Sequence, residues 1–588
     1  MAVALSPIVS LGGRRLSRSW LDALIEVKVE CEFQVPGRCS IRFRDPGYIL
    51  LQKASVKLGS GIEIEGVAES GDLTRLIKAE ITSVAVEQTE GGQPELVVTG
   101  LDKSHRLGRG SHIESYQSMS YGDIVRKIAS IYNLAASVDA TGSIFEYVMQ
   151  AESDLALLGE MAHRAGFDWW VDGETLNFKE PASHSSVHLS LGDDLRSFSV
   201  RASGHHPSSV TVDGWDRTRQ THIGTTVTSA STSSLVTSSF AHKAEEAADA
   251  FPVASLHAAG VGAHSEKEAK ELGQAILGRA LAAAVTAQGV TDGNGAIRLG
   301  ASVVIEDAGP LSGSYPVTKV VHVYREGLGF VTRFRSGERG PTSIVDAMGR
   351  GPAGASMVEH ATLRVAQVTN INDPDHHGRL KIRYPGVSST PESGWARLVA
   401  IGAGPNRGNV FIPEVGDEVL VGFEGGDLRE PVVIGGLYGA KSTLPGHPVA
   451  DGSVEVRGIT SRLGHVLQFA DGTTSENKAI LLRLAGEQHM IRLGDDALKI
   501  QVPAGTPLSI VAGSASITMT KNGGITIEGA TIDLKATGGI TVNGATVEVA
   551  AQAELKLEGQ GQVGIKGAML QVKGDGPVTI KGTPVMIN

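Results

Sequence analysis

The feature that most restricts how this chain can fold is a short repeat in its last quarter. From about residue 517 onward, two apolar residues flank one intervening position, again and again. The pairs are Ile525 and Ile527, Ile532 and Leu534, Ile540 and Val542, Val547 and Val549, Leu555 and Leu557, Val563 and Ile565, Leu570 and Val572, Val578 and Ile580, and Val585 and Ile587. Successive pairs start seven or eight residues apart, and the first, third, fifth, seventh and ninth are each spaced by fifteen. Alternation within a pair is the period of a strand, and seven or eight residues is one short strand plus a turn, so the segment reads as strands and not helices. Gly529, Gly544, Gly559, Gly567, Gly574 and Gly582 fall just after the pairs, where tight turns need them.

Such a ribbon has one apolar and one charged side, and a single copy would leave the apolar side in water with two unpaired edges. No Phe, Tyr or Trp follows Phe469. A conventional core would use aromatic rings, which a narrow fibre cannot hold. A single-chain solenoid usually needs about 20 residues per coil. One strand per chain per layer fits the shorter period better, so the expectation is an intertwined β-prism of three chains, a homotrimer with the pairs from Ile525 to Ile580 as its axis core.

The rest of the composition agrees with a β-rich chain of several domains. Among 588 residues there are 74 glycines, 5% aromatics and 20% charged residues, and the length suggests about three to five domains. The formal charge of −11 comes without a basic block, which argues against nucleic acid as a partner. Cys31 and Cys39 are too few for a disulfide framework; they would pair with each other or remain reduced, as a cytosolic product implies. The opening MAVALSPIVSLGGRR has no charged stretch ahead of an apolar core, so synthesis in the cytoplasm without a signal peptide is expected.

Between Leu21 and Gly100 short alternating runs such as Ile25–Val29, Ser40–Arg44, Ile62–Gly66, Ile77–Ile81 and Glu95–Gly100 predict a small barrel or curved sheet. Ser120 and Asp123 form a capping box ahead of Ile124, Ile128, Ile131 and Leu134 on one helix face. A second helix runs from Ser153 to its stop at Gly166, and a hairpin over Trp169–Phe178 turns at Asp172-Gly173. The Thr/Ser-rich stretch Gln220–Ser239 reads as an exposed excursion or a disordered linker. Ser265 and Glu268 begin an Ala-rich helix whose Lys267, Glu268, Lys270 and Glu271 read as a solvated first turn. Residues Gly340–Ser356, rich in Gly and Pro, form the expected linker.

The order G-x-D-K-x-H-R-L at Gly100–Leu107, a capped helix, Q-A-E-S-D-L-A-L-L at Gln150–Leu158, R-A-G-F at Arg164–Phe167 and a hairpin ending in Leu176-Asn177-Phe178 resembles the phage late control protein D family and the N-terminal half of VgrG spike proteins. Phe411–Gly435, with Val415-Gly416-Asp417, Gly425-Gly426-Asp427 and Pro431 opening the last strand, resembles the OB-fold domain of VgrG and phage baseplate spikes. The resemblance implies a mainly β protein. Residues 1–350 would be a gp27-like hub of two β-barrels with small helical insertions, 361–440 a gp5-like OB barrel of five or six strands including Gly408–Ile412, 441–490 a transition and 491–588 a triple-stranded β-helix.

It also implies partners: an inner tube protein, baseplate components, a PAAR-type tip protein over the blunt end at Val585, Met586, Ile587 and Asn588, effector cargo, and transient contact with a target membrane. The function implied is mechanical, as part of a phage tail-like particle. A phage virion hub is a second reading, and a tailspike acting on surface polysaccharide a third.

No catalytic constellation supports an enzyme. There is neither HExxH nor GxSxG, Gly402-x-Gly404 lacks the helix of a dinucleotide loop, and adjacent Asp417 and Glu418 would face opposite ways. Asp373, Asp375, His376 and His377 resemble a metal cluster but sit in a loop ahead of a strand, so no metal and no cofactor is expected.

Overall fold

The computed structural model describes residues 7–587 apart from 54–55, 68–71, 112, 183–184, 217–218, 231–235, 247–249, 252–253, 260–261, 340–362, 386–391, 475–476 and 487. The expected linker Gly340–Ser356 therefore lies outside the described residues. The chain divides into two units, Met1–Thr443 and Leu444–Asn588.

In the first unit, alternating apolar runs build two curved half-barrels that share one 14-stranded sheet. Leu24–Glu32, Arg38–Arg44, Gly61–Val67, Leu73–Glu87 and Glu95–Leu101 form the first. Their inward positions, among them Val29, Ile41, Phe43, Ile64 and Val98, make its core. Leu73–Glu87 is long enough to serve two neighbours, pairing with Gly61–Val67 up to Glu80 and, from Glu80 on, with Glu95–Leu101 across an irregularity between Ile81 and Ser83. Leu195–Ala202, Val285–Asp292, Gly313–Arg325 and Gly329–Ser336 belong to the second half-barrel. The halves fuse where Gly313–Arg325 runs antiparallel to Leu24–Glu32. Lys319 donates to Glu32 across that seam at 2.8 Å and pairs with Glu30 at the same distance.

Two insertions decorate the sheet. In the first, Ser120 caps Tyr121–Ile131 with both hydrogen bonds of the expected box, and Asp154–Ala165 ends at Gly166 in the left-handed conformation, φ 73°. The hairpin Asp168–Asp172 to Thr175–Lys179 follows. In the second, Ser209–Asp216, Thr221–Val227 and Ser255–Ala259 form a three-stranded sheet against the helix Glu266–Ala284. This corrects the expectation for Gln220–Ser239 over Thr221–Val227; residues 231–235 of that stretch lie outside the described residues. Thr is a good strand former, and Ile223 and Val227, four apart on one face, are buried against the helix residues Leu272 and Ile276.

The two cysteines are free, Cys39 buried in the core and Cys31 partly buried against it. Burial pushes the Cys39 thiol up to about 12, so neither is poised as a nucleophile.

Five strands, in the order Lys381–Arg383, Arg364–Asn370, Glu418–Phe423, Pro431–Gly436 and Arg397–Leu398, form the barrel segment. Val368, Ile382, Val419, Val421 and Val433 fill it. Tyr147 and Met149 of the strand Ile144–Gln150 belong to the same core, while Val148 between them packs with the helical insertion. Gly408–Ile412 is not the strand expected. Only Arg407–Gly408 pairs, with Ala403–Gly404, and Val410 is 79% exposed. Pro413 follows with no N–H for a ladder.

In the second unit, Val456–Thr460, Val466–Asp471, Lys478–Arg483, Met490–Gly494 and Leu498–Gln501 pair with their sequence neighbours as an antiparallel meander. Leu508–Ala512, Ala515–Met519 and Ile525–Glu528 make a three-stranded sheet. Among the described residues beyond Glu528, no strand pairs within the chain.

Candidate self-association surface

The ribbon beyond Glu528 is a train of extended segments separated by bends at 537–538, 545–546, 552–553, 560–561, 568–569, 575–576 and 583–584. Bend spacing is thus the seven or eight of the sequence repeat. Gly544, Gly559, Gly567, Gly574 and Gly582 each stand immediately before a bend, and at most of them there is a local reason. A Cβ on Gly559 would lie 2.9 Å from the Gln562 carbonyl oxygen and 3.1 Å from Val563 Cγ2. At Gly544, Gly574 and Gly582 a Cβ would likewise come within 3.7, 3.3 and 3.4 Å of the first residue of the following pair, so at these bends the chain folds tightly over the glycine.

Exposure differs within each pair. From Ile532 and Leu534 to Val578 and Ile580 the first member is always the less exposed, as at Ile540 (57%) and Val542 (69%). Every residue expected at a trimer axis is solvent-exposed in one chain: Ile525, Ile527, Ile532, Leu534, Ile540, Val542, Val547, Val549, Leu555, Leu557, Val563, Ile565, Leu570, Val572, Val578 and Ile580. Val585, Met586 and Ile587 are exposed too, and Asn588 lies outside the described residues. Asp533 and Lys535 pair at 3.1 Å on the face opposite Ile532 and Leu534. One side of the ribbon therefore carries charged side chains, Asp533 with Lys535 and Lys556 with Glu558 paired, and the other is apolar and uncovered.

The largest charge constellation lies in the first unit and joins the second insertion to the barrel. Glu268 Oε1 accepts from Arg164 at 2.8 Å and from Arg429 at 3.0 Å. Arg429 also holds Asp427 and the Gly262 carbonyl, and stacks 5.4 Å from the Phe145 ring centre. His264 Nε2 sits 3.3 Å from both Asp427 and Glu430. Burial alone would push the Asp427 carboxyl up, but the Arg429 guanidinium outweighs it and holds that carboxyl well below the usual range. Glu268 is lowered the same way.

Sequence reasoning missed this cluster by reading Glu268 as part of a solvated turn. Glu268 is buried, and Glu271 accepts from Ser143 at 2.7 Å. The available signal was the position of Glu268 in its capping box, which aims it back at the chain entering the helix, where His264 N–H donates to it.

Asp373 is a turn staple. It accepts from the backbone of Asp375, His377 and Arg379 and from the Arg379 guanidinium at 2.7 Å. Those bonds, the guanidinium's first, hold its carboxyl well below the usual range. Among the described residues, no group of three or more His, Cys, Asp or Glu is placed to hold a metal ion. No described helix is long and apolar enough to cross a membrane.

Residues 364–438 match the family described as the type VI secretion system/phage-baseplate injector OB domain. Residues 51–326, which take in most of the half-barrels and both insertions, match the Alg8 N-terminal domain. Over 75 residues, 12% of this chain, the protein is 37% identical to the type VI secretion system spike protein VgrG3 of Vibrio cholerae and 36% identical to VgrG1c of Pseudomonas aeruginosa; the match spans 7% and 10% of those proteins. It is also 37% identical, over 7% of the relative, to the actin cross-linking toxin VgrG1 of Vibrio cholerae. The chain thus spans about a tenth or less of the length of these curated relatives.

Among solved structures, the Escherichia coli c3393 protein is described as a component of the type VI secretion system similar to the T4 bacteriophage tail proteins gp27 and gp5. It superposes with a TM-score of 0.45 at 14% identity, covering 71% of this chain and 97% of that one. A chain of the lidless PdpA–VgrG complex gives 0.47 at 8% identity, covering 89% of this chain and 98% of that one.

Proposed function

We propose that this chain, whose barrel segment is an injector OB domain of the VgrG type, is the central spike of a contractile injection machine. Three copies cap the inner tube through the hub at residues 1–350, dock to baseplate components, and carry the OB barrel at 361–440 and the transition at 441–490. The β-helix at 491–588 is the needle. The role is mechanical: sheath contraction drives the needle through a target envelope, with transient contact with the membrane. A PAAR-type protein covers the tip at Val585–Asn588, and effector cargo travels on the tip or in the tube. Synthesis and assembly are cytoplasmic.

The observation that carries this reading is the ribbon, an apolar face with one chain's worth of strands and no partner strands within that chain. A prism closed by three such ribbons has no free edge and transmits axial load through hydrogen bonds along its length. The family description of the OB segment names phage baseplates as well, so a virion hub and spike is the second reading.

Sedimentation equilibrium of the full chain tests the proposal. A trimer is expected, with electron micrographs showing one thin needle per particle. A monomeric full chain overturns it.

A further inference from the structure

The meander carries an apolar face that the ribbon repeat does not include. Cross-strand register aligns Ile459, Leu467, Leu482, Ile491 and Ile500 in one row and Phe469, Ile480, Leu493 and Leu498 in the next. All nine are exposed, from Leu467 at 37% to Leu498 at 66%. The first row lines an open groove of about 570 Å³. Strands lie about 4.8 Å apart, so five span about 19 Å, and two rows make a patch at the upper end of what a lone soluble chain exposes. The opposite face mixes Gln468, Arg483, Arg492 and Lys499 with the partly buried Val466, Leu481 and Met490, so it is less uniformly apolar.

What covers the apolar face is argued from the chain itself. The same alternation resumes in the three-stranded sheet, where Ile510, Ile517 and Ile527 form a row, and then in the ribbon. A molecule that covers the ribbon must offer unpaired strands at a spacing of seven or eight residues, and another copy of this chain does. Copies wrapped on the ribbon lead back along the three-stranded sheet at residues 508–528 to the meander that precedes it.

The two surfaces differ in readiness. Every meander strand is paired within one chain through short hairpins, so it folds on local contacts before meeting another copy. The ribbon has no such pairs and must be ordered as it associates, which costs affinity.

We propose that the apolar face of the meander is the nucleus on which three copies first clasp, setting the register in which the ribbon then winds. The inference rests on the trimeric reading above and adds an order of events and the residues that enforce it.

The full chain tests it with two double variants. Leu482→Glu with Leu493→Glu is expected to cut the particle mass threefold, to the 61.4 kDa chain, and to leave the ribbon open to protease. Leu557→Glu with Ile565→Glu is expected to remain trimeric, with cleavage confined to the ribbon. Leu482→Met with Leu493→Met should restore the trimer, which separates a lost contact from a lost fold. A trimeric Leu482/Leu493 glutamate variant, or a monomeric ribbon variant, overturns the proposal while leaving the spike reading intact; a monomeric wild type overturns both.

Pulsed hydrogen exchange during refolding needs no variant. Protection of residues 466–501 should precede the rise in particle mass, and protection of residues 529–587 should follow it. Ribbon protection arriving first overturns the order proposed.

Discussion

Two glycines seven residues apart show how the same side chain does opposite work. Gly159 lies inside the helix Asp154–Ala165 with open space where a Cβ would go, whereas a Cβ on Gly166 would sit 3.0 Å from both Cα and Cβ of Ala275, at a φ of 73°. Gly159→Ala is therefore expected to stabilise the hub by about 0.5–1 kcal/mol, and Gly166→Ala to destabilise it by about 1–3 kcal/mol, both read from urea midpoints.

The buried cluster gives a pH signature. Unfolded carboxyls take up protons near about 4, but Asp427 and Glu268 in the fold take them up only at lower pH. Between those limits the unfolded chain binds more protons, so the stability contributed by the pairs is complete at neutral pH and drains away as the solution is acidified below about pH 5. Arg429→Ala removes the guanidinium that both carboxylates share, leaving Glu268 with Arg164 and Asp427 with His264, and should cost about 3–5 kcal/mol at pH 7, with a flatter dependence of melting temperature on pH than wild type. Gly166 was legible because a helix stop is written in its own sequence neighbourhood. Glu268 was not, because its partners come from 104 and 161 residues away.

At the scale of elements, local signals located most strands and helices, and the failures share a cause. The capping box at Ser120, the hairpin at Asp172-Gly173 and the alternation of Glu418–Phe423 each stand on contacts within one segment. Thr221–Val227 was misread because its strand character depends on a neighbouring strand and a covering helix. Gly408–Ile412 was misread because an alternating run has no ladder unless a free edge awaits it.

The strand Ile144–Gln150 is the clearest nonlocal case, since Tyr147 fills the barrel core beside Gly394, 3.0 Å from the position of that glycine's Cβ. Tyr147→Ala should destabilise the barrel by about 3–5 kcal/mol, and hydrogen exchange should show the loss in Glu418–Phe423 and Pro431–Gly436 and not in the half-barrel strands.

At the scale of the whole molecule, the proposed trimer would bury the apolar side of the ribbon and leave its ion pairs in water. Raising salt from about 0.05 M to about 1 M, which shortens the screening length to about 3 Å, should leave the trimer mass unchanged in an ultracentrifuge, as burial and not charge would hold it. The seam of the hub has a different consequence. Glu32 waits for Lys319, 287 residues later. At about 5–20 residues per second, a ribosome leaves the edge of Leu24–Glu32 unmatched for about 15–60 s, and neighbouring nascent chains on one messenger would offer each other the same open strand. Crowded polysomes are thus the place where this protein is most exposed to mispairing, and holding factors that shield strand edges during translation would raise its yield more than any change to the finished particle.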